Sequence, residues 1–317
     1  MLRRLILEAA DSQTLRRLIA TAPPTRAVVH RFVAGTEVAD GLAVARQLVA
    51  DGLLVSLDRL GEQVRDLSQA RATAEAYREL AAAIEQAGLA AEVEISLKLS
   101  ALGLGLAGNA SVGSPEEPRR VALDLAREIC AAAQAAGTMV TFDMEDHTTT
   151  DDTLAIVAEL RREFPSVGCV IQAYLRRSLA DCRELAEAGA RVRLCKGAYR
   201  EPAEVAFTRR HEVDRNFVRC LRILMRGSGY PMVATHDPRL IAIASVMATQ
   251  AGRGKDTYEF QMLYGVRPDE QQRLVRRGER VRVYVPYGGQ WYPYLMRRLA
   301  ERPANVAFFL RALGSKK

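Results

Sequence analysis

Short apolar runs and longer amphipathic stretches alternate along this chain from about residue 50 onward. Leu53 to Asp58, Glu94 to Ser100, Met139 to Asp143, Gly168 to Tyr174, Arg191 to Lys196, Met232 to His236, Tyr258 to Tyr264 and Val281 to Pro286 read as strands. Helical periodicity marks 69–88, 117–136, 149–163, 178–189, 203–226 and 238–251, several opened by Ser, Thr, Asp or Pro and closed by Gly. This βαβα order predicts parallel strands with helices outside them, and eight such strands in 317 residues predict a (β/α)8 TIM-like barrel. Residues 1–50 read as an N-terminal helical segment packed on the barrel, and 51–317 as the catalytic barrel, a single domain overall with a helix over 303–313. No repeat beyond the βα unit and no linker rich in Pro or Gly marks a second domain.

A barrel strand buries one face against helices and turns the other inward, so polar residues alternating with apolar ones mark the lumen near the catalytic end. In Ser96 to Ser100 the two leucines take the helix face and leave Lys98 inward, and in Val140 to Met144 Asp143 faces inward with Thr141. The same alternation points Gln172, Arg193, Thr235, Gln261 and Tyr284 at one place. Any single one of these has a plain alternative, a paired polar residue tying strands together; seven strands converging are harder to read that way. An isolated buried charge costs several kcal/mol, so Lys98 and Asp143 should compensate each other with Arg193 nearby. After the last strand, Tyr292 to Arg298 opens a helix on which Tyr294, Arg297 and Arg298 share overlapping sides. Folded over the barrel mouth, two guanidinium groups there can grip a carboxylate; elsewhere they are a solvated face.

Composition narrows the picture further. With 49% apolar and 26% charged residues the chain is ordinary globular material. Forty-five Lys plus Arg against 38 Asp plus Glu leave a surplus of +7, spread along the chain, which favours anionic ligands or acidic lipid without indicating nucleic acid. No apolar stretch reaches transmembrane length, and the N-terminal MLRRLILEAAD lacks a signal-peptide core, which points to a cytoplasmic chain. The five cysteines, at 130, 169, 182, 195 and 220, contain no C-x-x-C pair and read as reduced core thiols. Only five lysines stand against 40 arginines, and two of them, Lys98 and Lys196, fall at strand ends. A desolvated strand-end lysine suits a Schiff-base lyase or aldolase, and a barrel retained as a non-catalytic binding subunit is a third reading. Gly103 to Gly108 spells G-x-G-x-x-G, but the chain continues as loop where the dinucleotide fingerprint turns into a helix, so a mobile mouth loop is expected there. The histidines, at 30, 147, 211 and 236, lack metal-binding spacing, and the 6% aromatic residues are too scattered for a stacking platform.

Taken together, Arg31 to Gly35, Ser96 to Ser100, Asp143 to Asp146, Gln172 to Tyr174, Arg193 to Tyr199, Ala234 to His236, Phe260 to Gly265, and Tyr284 with Tyr294-x-x-Arg297-Arg298 resemble the proline dehydrogenase family over about residues 28–311. The resemblance implies a flavoprotein with a distorted (β/α)8 barrel, extra N-terminal helices and a final helix over the barrel mouth. It implies oxidation of L-proline to Δ1-pyrroline-5-carboxylate, the first step of proline catabolism, by hydride transfer from proline C5 to FAD N5, with electrons passed to a membrane quinone. It makes Asp143 and Arg193 catalytic, and Lys98, Tyr284, Tyr294, Arg297 and Arg298 substrate-binding. Flavin contacts would fall to Met144, Gln172, Arg193, Lys196, Gly197, Ala198, Thr235 and His236, with Arg193 near N5 and Gln172 near the pyrimidine edge. No metal or nucleic acid is implied; a pyrroline-5-carboxylate dehydrogenase is the implied partner enzyme, and the inner face of a membrane a peripheral location. Two departures from the family pattern, Cys195 where Val is common and Glu301 to Asn305 in place of a Glu-Asn run, remove no side chain the chemistry needs.

Overall fold

A computed structural model of the chain describes residues 29–61, 64–106 and 117–301. The strands are β1 (Leu54–Arg59), β2 (Val93–Leu97), β3 (Met139–Phe142), β4 (Gly168–Gln172), β5 (Arg191–Cys195), β6 (Tyr230–Ala234), β7 (Glu259–Leu263) and β8 (Val281–Tyr287). They pair in parallel in sequence order, and β8 returns to β1 to close the barrel. Around it run α1 (Val38–Ala50), α2 (Leu67–Gln86), α3 (Glu117–Ala135), α4 (Thr150–Glu163), α5 (Ser178–Glu187), α6 (Arg210–Arg226), α7 (Pro238–Gln250), α8 (Pro268–Arg276) and α9 (Trp291–Glu301). The barrel is uneven: six residue pairs register β1 on β8, whereas β3 meets β4 only through Thr141–Gly168 and Phe142–Cys169.

The alternation along each strand divides two interiors. Outward residues such as Leu57, Ile95, Phe142, Ile171, Val192 and Phe260 are buried against the helices. Each such side chain contributes about 1.5–3 kcal/mol through burial. The polar residues between them fill the lumen, including Ser56, Glu94, Ser96, Thr141, Arg193, Glu259, Gln261 and Arg282, each buried. A second apolar cluster sits beside the mouth, where Tyr292, Tyr294, Leu295 and Met296 of α9 pack with Leu60 and with Phe32 and Val33. Gly265 makes that approach possible: its φ is +71°, and a Cβ there would lie 1.7 Å from the Arg31 carbonyl oxygen.

Several boundaries depart from the sequence reading. β2 ends at Leu97, because the chain turns at Lys98 into two short 3₁₀ turns, Leu99–Leu102 and Leu104–Leu106, joined at Gly103. Leu104 and Leu106 are therefore buried in these turns, and the mouth loop expected here lies, from residue 107 on, outside the described residues. The helix expected over 203–226 starts only at Arg210, because Ala206 forms an antiparallel bridge with Leu175 and Arg209 is extended. Cys130, Cys169, Cys182 and Cys220 are buried free thiols, whereas Cys195 is half-buried at the end of β5, where desolvation pushes its thiol up to about 11. The segments 1–28 and 303–313 lie outside the described residues.

Candidate active site

Four of the inward-facing residues meet at the C-terminal ends of the strands, where this fold carries its chemistry. Asp143, one residue past β3, is the common partner. Its Oδ1 accepts from Arg193 Nη1 at 2.6 Å and from Ser96 Oγ at 3.1 Å. Its Oδ2 accepts from Tyr284 Oη at 2.7 Å and from Lys98 Nζ at 3.4 Å. Lys98 also pairs with Asp58 at 3.4 Å, and the Arg193 guanidinium lies 5.3 Å from the Tyr284 ring centre. Burial by itself would push the Asp143 carboxyl up; Lys98 and Arg193, with hydrogen bonds from Tyr284 and Ser96, outweigh it and hold it below the usual range. Burial, then the Asp143 charge, pushes the Tyr284 phenol well above its ordinary value, so it serves as a donor.

Below this layer lies a second one. Arg193 Nη2 donates to Glu94 Oε1 at 3.0 Å and to Ser56 Oγ at 3.4 Å. Arg191 reaches the other Glu94 oxygen at 2.8 Å, and Arg282 lies 3.8 Å from the carboxylate while donating to Glu259 at 2.8 Å. Desolvation would raise the Glu94 carboxyl, but Arg282, Arg191 and Arg193 together hold it far below its ordinary value. Burial disfavours the Arg193 charge; Asp143 and Glu94 reverse that and raise its pKa. Asp58, Glu94, Glu259 and Arg282 were visible as polar positions two apart on their strands, Ser56 with Asp58, Glu94 with Ser96, Glu259 with Gln261, and Arg282 with Tyr284. Of these pairs only Gln261 and Tyr284, the upper members of two, are among the candidates read from alternation.

The remaining candidates form a rim. Gln172 donates to the Glu145 carbonyl at 2.6 Å, and the Thr235 hydroxyl accepts from the Asp237 backbone at 3.1 Å, so neither joins the Asp143 knot. Gln261 turns to Glu259, one layer further down. Met144 is buried. Lys196, just past β5, pairs with Asp214 at 2.6 Å and Asp237 at 3.4 Å. His236 accepts from the Leu263 backbone N–H at 2.9 Å through Nε2, which places the proton of a neutral ring on Nδ1. Gly197 has φ +103°, and a Cβ there would lie 2.2 Å from the Tyr174 ring, so Ala198 follows a turn only glycine makes without strain. That loop is tied by Glu201, which accepts from Tyr174 Oη at 3.1 Å and pairs with the His147 ring.

The final helix reaches the same mouth. Its residues pack on Leu60, just past β1, and the Arg298 guanidinium stacks over the Tyr294 ring at 5.1 Å. Tyr294 itself is buried in the apolar cluster with Phe32 and Leu60. The Arg297 side chain lies outside the described residues. Among the described residues no group of three His, Cys, Asp or Glu is placed to hold a metal ion.

The family model for proline dehydrogenase matches residues 42–311. Proline dehydrogenase 1 of Bacillus subtilis (strain 168) is 37% identical over 316 residues, covering 100% of both chains. Proline dehydrogenase of Deinococcus radiodurans is 39% identical over 288 residues, 90% of each chain. Among solved structures, proline utilization A (PutA) from Bdellovibrio bacteriovorus inactivated by N-propargylglycine superposes with a TM-score of 0.81 at 27% identity, over 87% of this chain and 33% of that one. The chain thus spans about a third of that longer structure.

Proposed function

The chain belongs to the proline dehydrogenase family, and from that premise we propose that its barrel mouth binds L-proline and FAD and oxidises proline to Δ1-pyrroline-5-carboxylate, the first step of proline catabolism. The observation that carries this reading is the knot of Lys98, Asp143, Arg193 and Tyr284, a desolvated set of two cations, one carboxylate and a phenol under a helix that brings further arginine. Such a set suits a small zwitterion whose carboxylate needs charge-assisted hydrogen bonds.

The residues present fit a flavin. Arg193 Nε is buried and has no hydrogen-bond partner among the described residues. The Gly197 turn keeps the adjoining loop free of a side chain beside Tyr174. Met144, Gln172, Arg193, Lys196, Gly197, Ala198, Thr235 and His236 would hold the cofactor. Held there, FAD would supply the electron sink for the hydride that leaves proline C5. The protein's part is orientation: Arg297, Arg298 and Lys98 hold the carboxylate, Tyr284 and Tyr294 pack against the substrate, and Asp143 fixes Lys98, Arg193 and Tyr284 relative to one another. The Arg193 cation would stabilise negative charge gained on reduction. The proline nitrogen must be neutral for its lone pair to form the C=N bond as the C5–H bond breaks, so the rate should rise with pH.

A Schiff-base aldolase is less well supported, because Lys98 is flanked by Asp58 and Asp143 in an arrangement that favours ammonium over the free amine. A membrane quinone as electron acceptor is supported by the exposed arginines of α6, and the similarity to a relative named bifunctional protein PutA, of Escherichia coli, supports a pyrroline-5-carboxylate dehydrogenase as partner. The direct test is colour: purified protein should be yellow and bleach anaerobically with L-proline, and protein that stays colourless after incubation with FAD would reject the reading. Arg298→Ala and Arg297→Ala should each raise KM for proline while flavin stays bound, at a cost of about 2–5 kcal/mol for a desolvated charge pair. An unchanged KM in both would remove the carboxylate clamp.

A further inference from the structure

The charged side chains of the lumen form a ladder two layers deep, with Lys98, Arg191, Arg193 and Arg282 facing Asp58, Glu94, Asp143 and Glu259. The upper layer belongs to the substrate and flavin reading. The lower one does not touch the mouth, and Glu94 is its centre: its side chain is fully buried and three arginines converge on it. Ser56 Oγ donates to it at 2.7 Å and Thr141 Oγ1 at 3.2 Å, so both carboxylate oxygens are saturated and the group has no rotameric freedom. Arg193 is the one cation shared between layers. Asp143 and Ser96 take its Nη1 and Glu94 and Ser56 take its Nη2, which leaves Nε as the donor without a partner among the described residues.

A guanidinium clamped in this way presents a field that depends on both of its counter-ions. Asp143 is engaged by Lys98 and Tyr284 as well, whereas Glu94 meets Arg193 directly from the side away from the mouth. We propose that Glu94 is a positioning residue for the redox step, a buried counter-charge that fixes Arg193 from below and sets the positive field it presents to the bound flavin, and hence the flavin's reduction potential. The inference rests on the flavin reading above and adds to it a group that touches neither substrate nor cofactor.

The sign follows from charge alone. Glu94→Gln keeps the shape and part of the hydrogen bonding but removes one negative charge from a low-dielectric interior. The lumen becomes more positive, the reduced flavin is favoured, and the potential should rise. Arg191→Gln removes a cation from the same carboxylate without touching Arg193, and the potential should fall. Arg191 stands at the edge of the ladder, with 11% of its side chain exposed, so its loss is the milder perturbation of folding.

The test is a spectroscopic redox titration of purified, FAD-loaded protein against reference dyes, for the wild type and both variants. A tenfold or larger change in the reduction equilibrium, about 30 mV for a two-electron couple, with opposite signs in the two variants, is the expected result. A potential that is unchanged in both variants, or that falls in Glu94→Gln or rises in Arg191→Gln, overturns the proposal. If Glu94→Gln does not fold, as judged by circular dichroism, the sign in Arg191→Gln decides. Wild-type protein that never takes up FAD refutes the flavin reading instead, a result visible before any variant is made.

Discussion

Asp143 holds four side chains at once, Lys98, Arg193, Tyr284 and Ser96, and that is why a single atom change there should be felt in folding as well as in turnover. Asp143→Asn keeps the volume but leaves Lys98 and Arg193 buried with one counter-charge fewer. Breaking a buried pair from one side costs about 3–5 kcal/mol, and urea unfolding should show a loss of that order; a loss below ~1 kcal/mol would mean water already screens the knot. The pH dependence has a definite sign. Glu94 and Asp143 both have folded-state values below those of ordinary carboxylates, which lie near ~4. Their contribution is complete above that range and is lost as pH falls through it toward the lower folded values. Melting temperature should therefore drop steeply on acidification below about pH 4, and Asp143→Asn should fall less steeply than wild type over the same interval. Alternation made Lys98, Asp143, Arg193 and Tyr284 legible as a set. What it could not give is who meets whom: Arg193 and Glu94 are 99 positions apart and adjacent only because closure of the barrel brings β2 and β5, three strands apart, to face each other across the lumen.

At the scale of elements, the loop between β5 and α6 carries most of what periodicity missed. An apolar period continues back to residue 203, yet the chain spends residues 203–209 on turns and on the bridge between Ala206 and Leu175, a tertiary pairing that outweighs local helix propensity. The same loop holds Gly197 against Tyr174, whose hydroxyl donates to Glu201, which in turn binds the His147 ring and backbone. Gly197→Ala should displace the Tyr174 ring and loosen this tie while leaving the barrel intact, since neither residue belongs to a strand. The expected outcome is FAD affinity lowered at least about tenfold, an amount that about 1.4 kcal/mol produces, with a far-ultraviolet spectrum like that of wild type. Undiminished flavin retention through gel filtration would show that the turn does not shape the cofactor site. β2 shows the same overextension in a strand. Its apolar alternation runs on to Ser100, but Gly103 in a left-handed conformation permits the 3₁₀ turns that bring Ser100 to Glu145.

For the molecule as a whole, the surplus of +7 says only that the surface is basic; the fold says where. Arg215, Arg219, Arg222 and Arg226 recur at helical spacing along one exposed face of α6, and none forms an ion pair among the described residues. α7 beside it carries no acid, and its outer side includes Val246, 55% exposed. No helix among the described residues is long and apolar enough to cross a membrane. An arginine stripe next to short aliphatic side chains has the chemistry for peripheral contact, since each basic residue near an anionic bilayer contributes about 1 kcal/mol. Purified protein should co-sediment with vesicles containing phosphatidylglycerol at low salt and not with pure phosphatidylcholine vesicles. Screening works over about 8 Å at physiological ionic strength and about 3 Å at 1 M, so binding should fall steeply as salt is added. Arg219→Glu combined with Arg222→Glu should abolish sedimentation while leaving anaerobic bleaching by proline unchanged, because both residues lie on the outer helix layer and far in the chain's fold from the Asp143 knot. Equal sedimentation of that variant would exclude the α6 face as the membrane contact and leave the basic surplus without a role in electron delivery.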